Sequence, residues 1–317
     1  MNKTIKRHFL QSGEWALFQR NLGNTVIERS GKGWLYSAIL EVGHGAVGGR
    51  FKRLYCPYGP YYESQSGLAA ALADLEQQAK ELGADYVRVE PSTNGDCSKF
   101  NGKPYGYTLQ KRDFQPRLVL LIDLLPSFEE IMQQASKTNR YLWNKRERTG
   151  LYFKTSYELA DLESFLLMMR ETAGRTNTTF HRSQFYELLL ESLGPSKHVG
   201  VAYAYHEDEV LVGVLFADDF VNKTRYYLYA GSFDKARKYS ANAPLVCYLM
   251  AEAKQNGIDT FDFFGIVPES ATDHRWAGFS KFKRSFGGEE FAYSGTWEKP
   301  IKPIRYQLMR LARLLKP

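Results

Sequence analysis

A short segment of this 317-residue chain occurs twice, and that repetition limits the folds open to it more than any other feature. AKELGADY at 79–86 aligns with AKQNGIDT at 253–260, an offset of 174 residues, and Ala79, Lys80, Gly83 and Asp85 recur as Ala253, Lys254, Gly257 and Asp259. An amphipathic helical stretch precedes each copy, GLAAALADLEQQAKEL at 67–82 and NAPLVCYLMAEAKQN at 242–256. An alternating strand follows each, DYVRVEP and DTFDFFG. Gly83 and Gly257 stand where a helix closes on a left-handed residue, a conformation glycine adopts without a Cβ clash. The same offset pairs Tyr55, in RLYCPYGP, with Tyr229, in RYYLYAGS, each at the end of a strand-like run. The repeated unit is strand, loop, helix, strand, and two copies make a tandem duplication rather than a solenoid.

A crossover of this length joins parallel strands, because antiparallel neighbours need only a short turn. Each half is expected to hold a mixed sheet with one parallel pair, in an α/β architecture. Hairpin-like strands lie ahead of each crossover: WLYSAILEVGHGAVGGRFKRLYCP in the first half, and three strands between His198 and Ser232 in the second, with turns at Glu207-Asp208 and near Asn222. This order matches the N-acetyltransferase (GNAT) fold, so a tandem pair of GNAT-like domains is expected, by analogy of fold rather than function. The junction is placed in KTNRYLWNKRERTGLYFKTS, after a helix opened by the capping box of Ser127 and Glu130, giving domains of 1–148 and 149–299. Residues 300–317 form a separate pattern, with Ile304, Leu308, Leu311 and Leu315 at helical spacing among Arg305, Arg310, Arg313 and Lys316 and no acid. This segment is expected to pack back on the first domain; anionic lipid and a nucleic acid are the other partners its charge suits.

Hydrophobic residues make up 44% and charged residues 24%, an ordinary globular balance, and no apolar run nears the roughly 18 residues that span a bilayer. MNKTIKRHFLQSGEW lacks the apolar stretch and cleavage site of a secretory leader, so a cytoplasmic location is expected. Cys56, Cys97 and Cys247 are widely spaced and signal neither a disulfide framework nor a zinc site. The net charge of +7 favours an acidic partner: a nucleic acid, a nucleotide-linked substrate or an anionic membrane surface.

Acyl-CoA enzymes of the GNAT fold place a glycine-rich loop between the crossover strand and helix, where backbone N–H groups hold a pyrophosphate. YGPYYESQSG and AGSFDKARKYSANAP stand there instead, which weakens a CoA reading. GHGAVGG at 43–49 lies between two strands and reads as a hairpin. No nucleophilic triad can be assembled from the six histidines, and His206 with Glu207, Asp208 and Glu209 reads as a solvated turn before it reads as a metal site. The segment WAGFSKFKRSFGGEEFAYSGTW at 276–297 is richer, because Lys281, Lys283 and Arg284 interleave with Phe279, Phe282 and Phe286. Read as a strand, it sends Phe282 and Lys283 to opposite faces. A lysine in apolar surroundings can hold a developing oxyanion or a phosphate; the plainer alternative is an amphipathic element with solvated lysines.

These residues, with five other segments in the same order, resemble the Fem family of non-ribosomal peptidyltransferases. The segments are SGEWALFQRNLG (12–23), KTNRYLWNKRERTG (137–150), ETAGRTNTTFHRSQFY (171–186), YLYAGS (227–232), DFFGI (262–266) and GFSKFKRSFGG (278–288), and they cover almost the whole chain. The long helical arm of FemA is absent, so FemX is the nearer comparison. The resemblance implies an aminoacyltransferase of cell-wall biogenesis that moves an amino acid from aminoacyl-tRNA to the stem-peptide amine of a UDP-MurNAc-peptide or lipid II, using no cofactor. It implies roles for Lys283 in the transfer step and for Phe282 beside it. It implies that Arg182, Tyr186 and Tyr229 hold the acidic precursor, with Arg20 standing near the place of a family lysine. Glu90, Asp262 and the substrate's own phosphate are conceivable bases, without a choice among them, and a strand carboxylate is more often structural. Two rivals remain open: a GNAT-type acyltransferase on another amine, and a nucleic-acid or membrane-surface binding module without chemistry.

Overall fold

The computed structural model describes residues 7–44, 50–93, 96–176 and 179–314. The chain divides into two units, one of Met1–Arg117 and Ala292–Pro317, the other of Leu118–Phe291.

In the first unit, Ser12 caps α1 (Gly13–Asn21) by accepting from the Trp15 N–H. Strands β1 (Thr25–Gly31), β2 (Trp34–His44) and β3 (Arg50–Cys56) run antiparallel. The two-residue β4 (Tyr61–Tyr62) pairs with β2, and α2 (Gln65–Glu81) crosses over to β5 (Tyr86–Val89), parallel to β3. Leu68, Leu72, Leu75 and Ala79 line one face of α2 and pack on Leu54, Val87 and Val89 of the sheet. Gly83 follows α2 at φ 68°, the left-handed stop expected of it. The sheet is completed by β6 (Thr108–Leu109) and by a strand from the far end of the chain, β14 (Trp297–Pro300), which lies between β5 and β6.

The second unit opens with β7 (Leu118–Asp123), then α3 (Phe128–Gln134) under the Ser127/Glu130 capping box, α4 (Lys137–Lys145) and β8 (Leu151–Ser156). Helices α5 (Leu162–Thr176) and α6 (Ser183–Leu193) precede the meander β9 (Val199–His206), β10 (Glu209–Asp219) and β11 (Thr224–Ser232). A helical turn, α7 (Ala236–Tyr239), and α8 (Asn242–Gln255) lead to β12 (Thr260–Gly265), parallel to β11. Helix α9 (Ala277–Arg284) and β13 (Glu289–Ala292) end the unit, whose strand order is β13-β7-β12-β11-β10-β9-β8. Gly257, at φ 76°, repeats the stop of Gly83. Both halves are thus mixed sheets with an antiparallel meander, a crossover helix and a parallel pair, as the repeat required.

Three expectations need correction or limits. The boundary drawn at 148/149 falls inside the second unit, which begins at Leu118 and ends at Phe291. The reason is an exchange of strands: β7 precedes the second copy in sequence yet pairs with β12, while β14 follows it and pairs with β5. Residues 276–297 are not one strand, because 277–284 is helical. Phe279, Phe282 and Phe286 recur at spacings of three and four, the period of a helix face. Residues 45–49 of the glycine-rich segment, and Leu315 and Lys316, lie outside the described residues; β2 and β3 on either side of 45–49 pair antiparallel.

From 303 to 314 the chain forms α10 (Pro303–Leu314) within the first unit. Arg305 Nε donates to Asp85 at 2.6 Å, the Tyr306 hydroxyl donates to Glu298 at 2.8 Å, and Tyr306 and Met309 pack on Tyr86.

Candidate active site

In the second unit the parallel strands β11 and β12 pair only from Thr224–Thr260 to Tyr226–Asp262. Beyond that point the two strands separate. On its other side β12 pairs Asp262 with Leu121 and Gly265 with Val119, so Phe263 and Phe264 together face the single residue Leu120. That is a β-bulge, and Phe264 takes φ 60°, a left-handed conformation a bulky side chain rarely adopts. The Asp262 carboxylate holds the bulge by accepting the Phe264 N–H at 2.6 Å. The result is a notch between the ends of β11 and β12, whose pairing stops at Tyr226 and Asp262.

Helix α9 delivers Lys283 to this notch. Lys283 Nζ donates to the Gly265 carbonyl at 2.7 Å and stands 6.0 Å from the centre of the Tyr227 ring. Two further bonds fix the helix to the same backbone: Ser280 Oγ accepts from the Val267 N–H at 2.9 Å, and Arg284 donates to the Val267 carbonyl at 2.7 Å. Phe282 meets Phe286 edge to face, with centroids 5.2 Å apart, and packs against the core. Burial lowers the Lys283 amine from 10.5 to about 8, against the opposing charge of Asp262. Burial raises the Asp262 carboxyl from 3.8 to about 7, moderated by the Phe264 N–H and Lys283. One hydrogen bond to Gly265 leaves two ammonium protons for a ligand. A fixed cation in a poorly solvated notch is what a developing oxyanion needs.

A second cluster forms around Tyr229, on the same strand as Tyr227. The rings of Tyr186 and Tyr229 meet edge to face at 5.1 Å, and His181, stacked on Phe185 at 3.9 Å, lies 5.8 Å from Tyr229. The Tyr186 hydroxyl is buried and makes no close hydrogen bond among the described residues, with the His181 main chain beside it. Burial pushes Tyr186 up to about 12, raises Tyr229 further and lowers His181. Arg182 stands exposed at the N-cap of α6, one turn before Tyr186. The structure thus joins Tyr186 to Tyr229 and Phe282 to Lys283, with Tyr227 and Tyr229 of β11 facing the two clusters. Arg20 lies in the first unit, ion-paired with Glu28 on the surface.

The counterpart notch of the first copy is filled. Glu90, at the end of β5, is buried and accepts from the Tyr55 hydroxyl at 2.9 Å, the Thr296 hydroxyl at 2.6 Å, and the N–H groups of Tyr58 at 3.2 Å and Gln115 at 3.0 Å. Burial raises its pKa, while these four donors pull the other way. With every oxygen used, Glu90 is a structural carboxylate rather than a base. Asp262, with one close donor and a lysine beside it, is the better placed of the two acids.

Sequence reading missed Tyr227, the Gly265 carbonyl and His181. The signal for the second was Gly265 itself, since an isolated glycine in a strand pattern marks a bulge. Tyr227 offered no signal apart from its place two residues before Tyr229.

The geometry can be set beside known proteins. Over 87 residues the chain is 33% identical to Aminoacyltransferase FemA of Staphylococcus aureus, a stretch covering 27% of this chain and 21% of FemA, so the match spans about a fifth of that relative. The crystal structure of FemX superposes with a TM-score of 0.83 at 16% identity, covering 97% of this chain and 96% of that one. L-PGS from Bacillus licheniformis gives a TM-score of 0.56 at 13% identity, covering 95% of each chain. A tandem GNAT protein from the clavulanic acid biosynthesis pathway gives 0.53 at 10% identity, covering 88% of this chain and 83% of its own. At these identities the solved structures speak for the fold, a duplicated GNAT-like pair. The FemAB family model matches residues 98–211 and 205–313, well over half the sequence, and the chain therefore belongs to the FemAB family.

Proposed function

We propose that the protein is an aminoacyltransferase that moves an amino acid from aminoacyl-tRNA to the stem-peptide amine of a peptidoglycan precursor, UDP-MurNAc-peptide or lipid II. The observation that carries this reading is the Lys283 ammonium, fixed on the Gly265 carbonyl where the β11–β12 pairing ends in a FemAB chain. The donor ester is already activated, so the step needs no covalent enzyme intermediate. The stem-peptide amine attacks the ester carbonyl, a C–N bond forms, and the carbonyl oxygen becomes an oxyanion that Lys283 meets with its free N–H groups. The C–O bond to the ribose then breaks, and the ribose oxygen takes up the proton that the attacking amine gives up. Arg182, Tyr186 and Tyr229 suit the anionic acceptor, the guanidinium for phosphate and the rings for flat contact. Phe282 shapes the apolar wall beside Lys283.

No helix among the described residues is long and apolar enough to cross a membrane. A peripheral position at the inner membrane face agrees with α10, whose Ile304, Leu308 and Leu311 are 79%, 58% and 56% exposed. They project opposite the buried Tyr306 and Met309, as in a helix lying at a lipid interface. The test is mass spectrometry of a muropeptide acceptor incubated with the protein and charged tRNA. A gain of one aminoacyl residue supports the reading; acetylation from acetyl-CoA with no aminoacyl product would replace it by the acyl-CoA alternative.

A further inference from the structure

Helix α4 presents a face that the transfer step leaves unused. Its inner side is fully engaged: Trp143 packs on Phe128 and Phe153, Arg146 lies 3.8 Å over the Trp143 ring, and Asn139 is 5% exposed. Asn139 Nδ2 donates to the backbone carbonyl and hydroxyl of Ser285 at 3.1 and 2.8 Å, and the Ser136 N–H donates to the same carbonyl at 2.7 Å. Ser285 is the C-cap of α9, two residues beyond Lys283. The N-terminal end of α4 is therefore tied directly to the helix that carries the candidate catalytic lysine.

The outer side is basic. Lys137, Tyr141 and Lys145 follow one another at intervals of four, and Arg148 comes three later, still in helical register because the Thr149 N–H reaches the Lys145 carbonyl at 3.1 Å. Lys137, Lys145 and Arg148 are exposed and form no ion pair among the described residues. Tyr141 is 61% exposed, with Lys145 Nζ 5.5 Å from its ring centre. Glu147 is the acid of this turn, and it is paired with Arg146 off the stripe. Lys145 and Arg148, three residues apart, are like charges on neighbouring positions of the helix surface, an arrangement that suits an external polyanion. At 1.5 Å per residue the stripe runs about 16 Å, the axial length of about five phosphates of one strand at about 3.4 Å each. An exposed tyrosine among the cations offers a flat platform for a sugar or an unpaired base. A lipid surface would call for aliphatic side chains between the charges, and the stripe has none.

We infer that the outer face of α4 docks the acceptor arm of an RNA, with Lys137, Lys145 and Arg148 on separate phosphates along one strand and Tyr141 against a sugar or base. The 3′ end is then led past Ser285 toward Lys283. This rests on the reading that the donor is a charged tRNA, and deepens it by naming the surface that holds the RNA body.

The test compares two donors with the full-length protein: intact charged tRNA, and an aminoacylated dinucleotide too short to reach α4. In the triple variant Lys137→Ala, Lys145→Ala, Arg148→Ala, kcat/KM for the tRNA is expected to fall at least tenfold, while the short donor changes less than twofold. The slope of log affinity for uncharged tRNA against log salt should flatten by about 2 to 3. The charge-preserving set Lys137→Arg, Lys145→Arg, Arg148→Lys should restore tRNA use, which separates docking from misfolding. Equal losses for both donors, or tRNA binding unchanged in the alanine set, would overturn the assignment. So would loss of binding to anionic vesicles with tRNA binding intact. If wild type transfers from neither donor, the transfer reading fails, while the uncharged-tRNA measurement still decides the role of α4.

Discussion

Replacing Asp262 by asparagine removes one charge from the notch and little else. An asparagine Oδ1 can still accept the Phe264 N–H, so the bulge is expected to persist. The Lys283 amine stands at about 8 because burial pulls it down and Asp262 partly holds it up. Taking a separation on the order of 6 Å and an effective dielectric of about 20, two unit charges interact by about 3 kcal/mol. At about 1.4 kcal/mol per pKa unit, even half of that interaction lowers a lysine pKa by about 1. The Asp262→Asn protein should therefore lose the Lys283 proton near pH 7 or below. Since the proposed oxyanion contact needs the ammonium form, transfer falls as pH rises through this value. The alkaline limb of kcat/KM should move down by about one pH unit, with the acidic limb, set by the acceptor amine, in place. Rates at pH 8 should drop about fivefold and rates near pH 6.5 by much less. NMR titration with lysine labelled at Cε reads Lys283 directly, without relying on activity. An unchanged Lys283 titration and alkaline limb would refute the electrostatic coupling. A uniform loss at every pH would instead make Asp262 a proton carrier.

Lys283→Met should stabilise the fold while abolishing transfer. The amine is at about 8 in the folded chain against an ordinary 10.5, so the unfolded chain binds the proton more tightly. Stability therefore rises between those two values, and the penalty is complete below the lower one. Allowing for partial exposure, the variant should gain about 1–3 kcal/mol at pH 7 in urea unfolding; a loss of stability would contradict this. Arg225, fully buried on Asp218 and Glu252, is structural, and Arg225→Ala should lose about 3–5 kcal/mol in the same assay. The combined change Ile304→Ser, Leu308→Ser, Leu311→Ser should abolish cosedimentation with anionic vesicles while leaving thermal unfolding nearly unchanged; retained cosedimentation would remove α10 as the lipid contact.

Much of the scaffold was legible because its signals are local. Gly83 and Gly257 end their helices in the left-handed region, the hairpin turn at Glu207-Asp208 lies between two strands, and Ser127 and Glu130 form the capping box. The domain boundary was not legible, because β7 and β14 take their partners across the sequence order and nothing within LVLLID or WEKP records which sheet each joins. The helix at 277–284 was misjudged for a nearer reason: attention to Phe282 and Lys283 as neighbours hid the spacing of Phe279, Phe282 and Phe286. Of the site, the aromatic pair Tyr186 and Tyr229 and the lysine came from resemblance, and the structure supplies their surroundings. The left-handed Phe264, the Gly265 carbonyl that Lys283 meets and the electrostatic influence of Asp262 on Lys283 depend on a bulge register that only the folded sheet defines.

The central claim is that the second copy's notch carries the transfer step through the Lys283 ammonium. The most direct measurement is single-turnover transfer from charged tRNA to a UDP-linked or lipid-linked muropeptide, comparing wild type with Lys283→Ala. Removal of a single oxyanion donor elsewhere lowers rates by about 100- to 1000-fold, and a loss of that order with acceptor binding preserved is expected here. Near-normal transfer by Lys283→Ala would contradict the account.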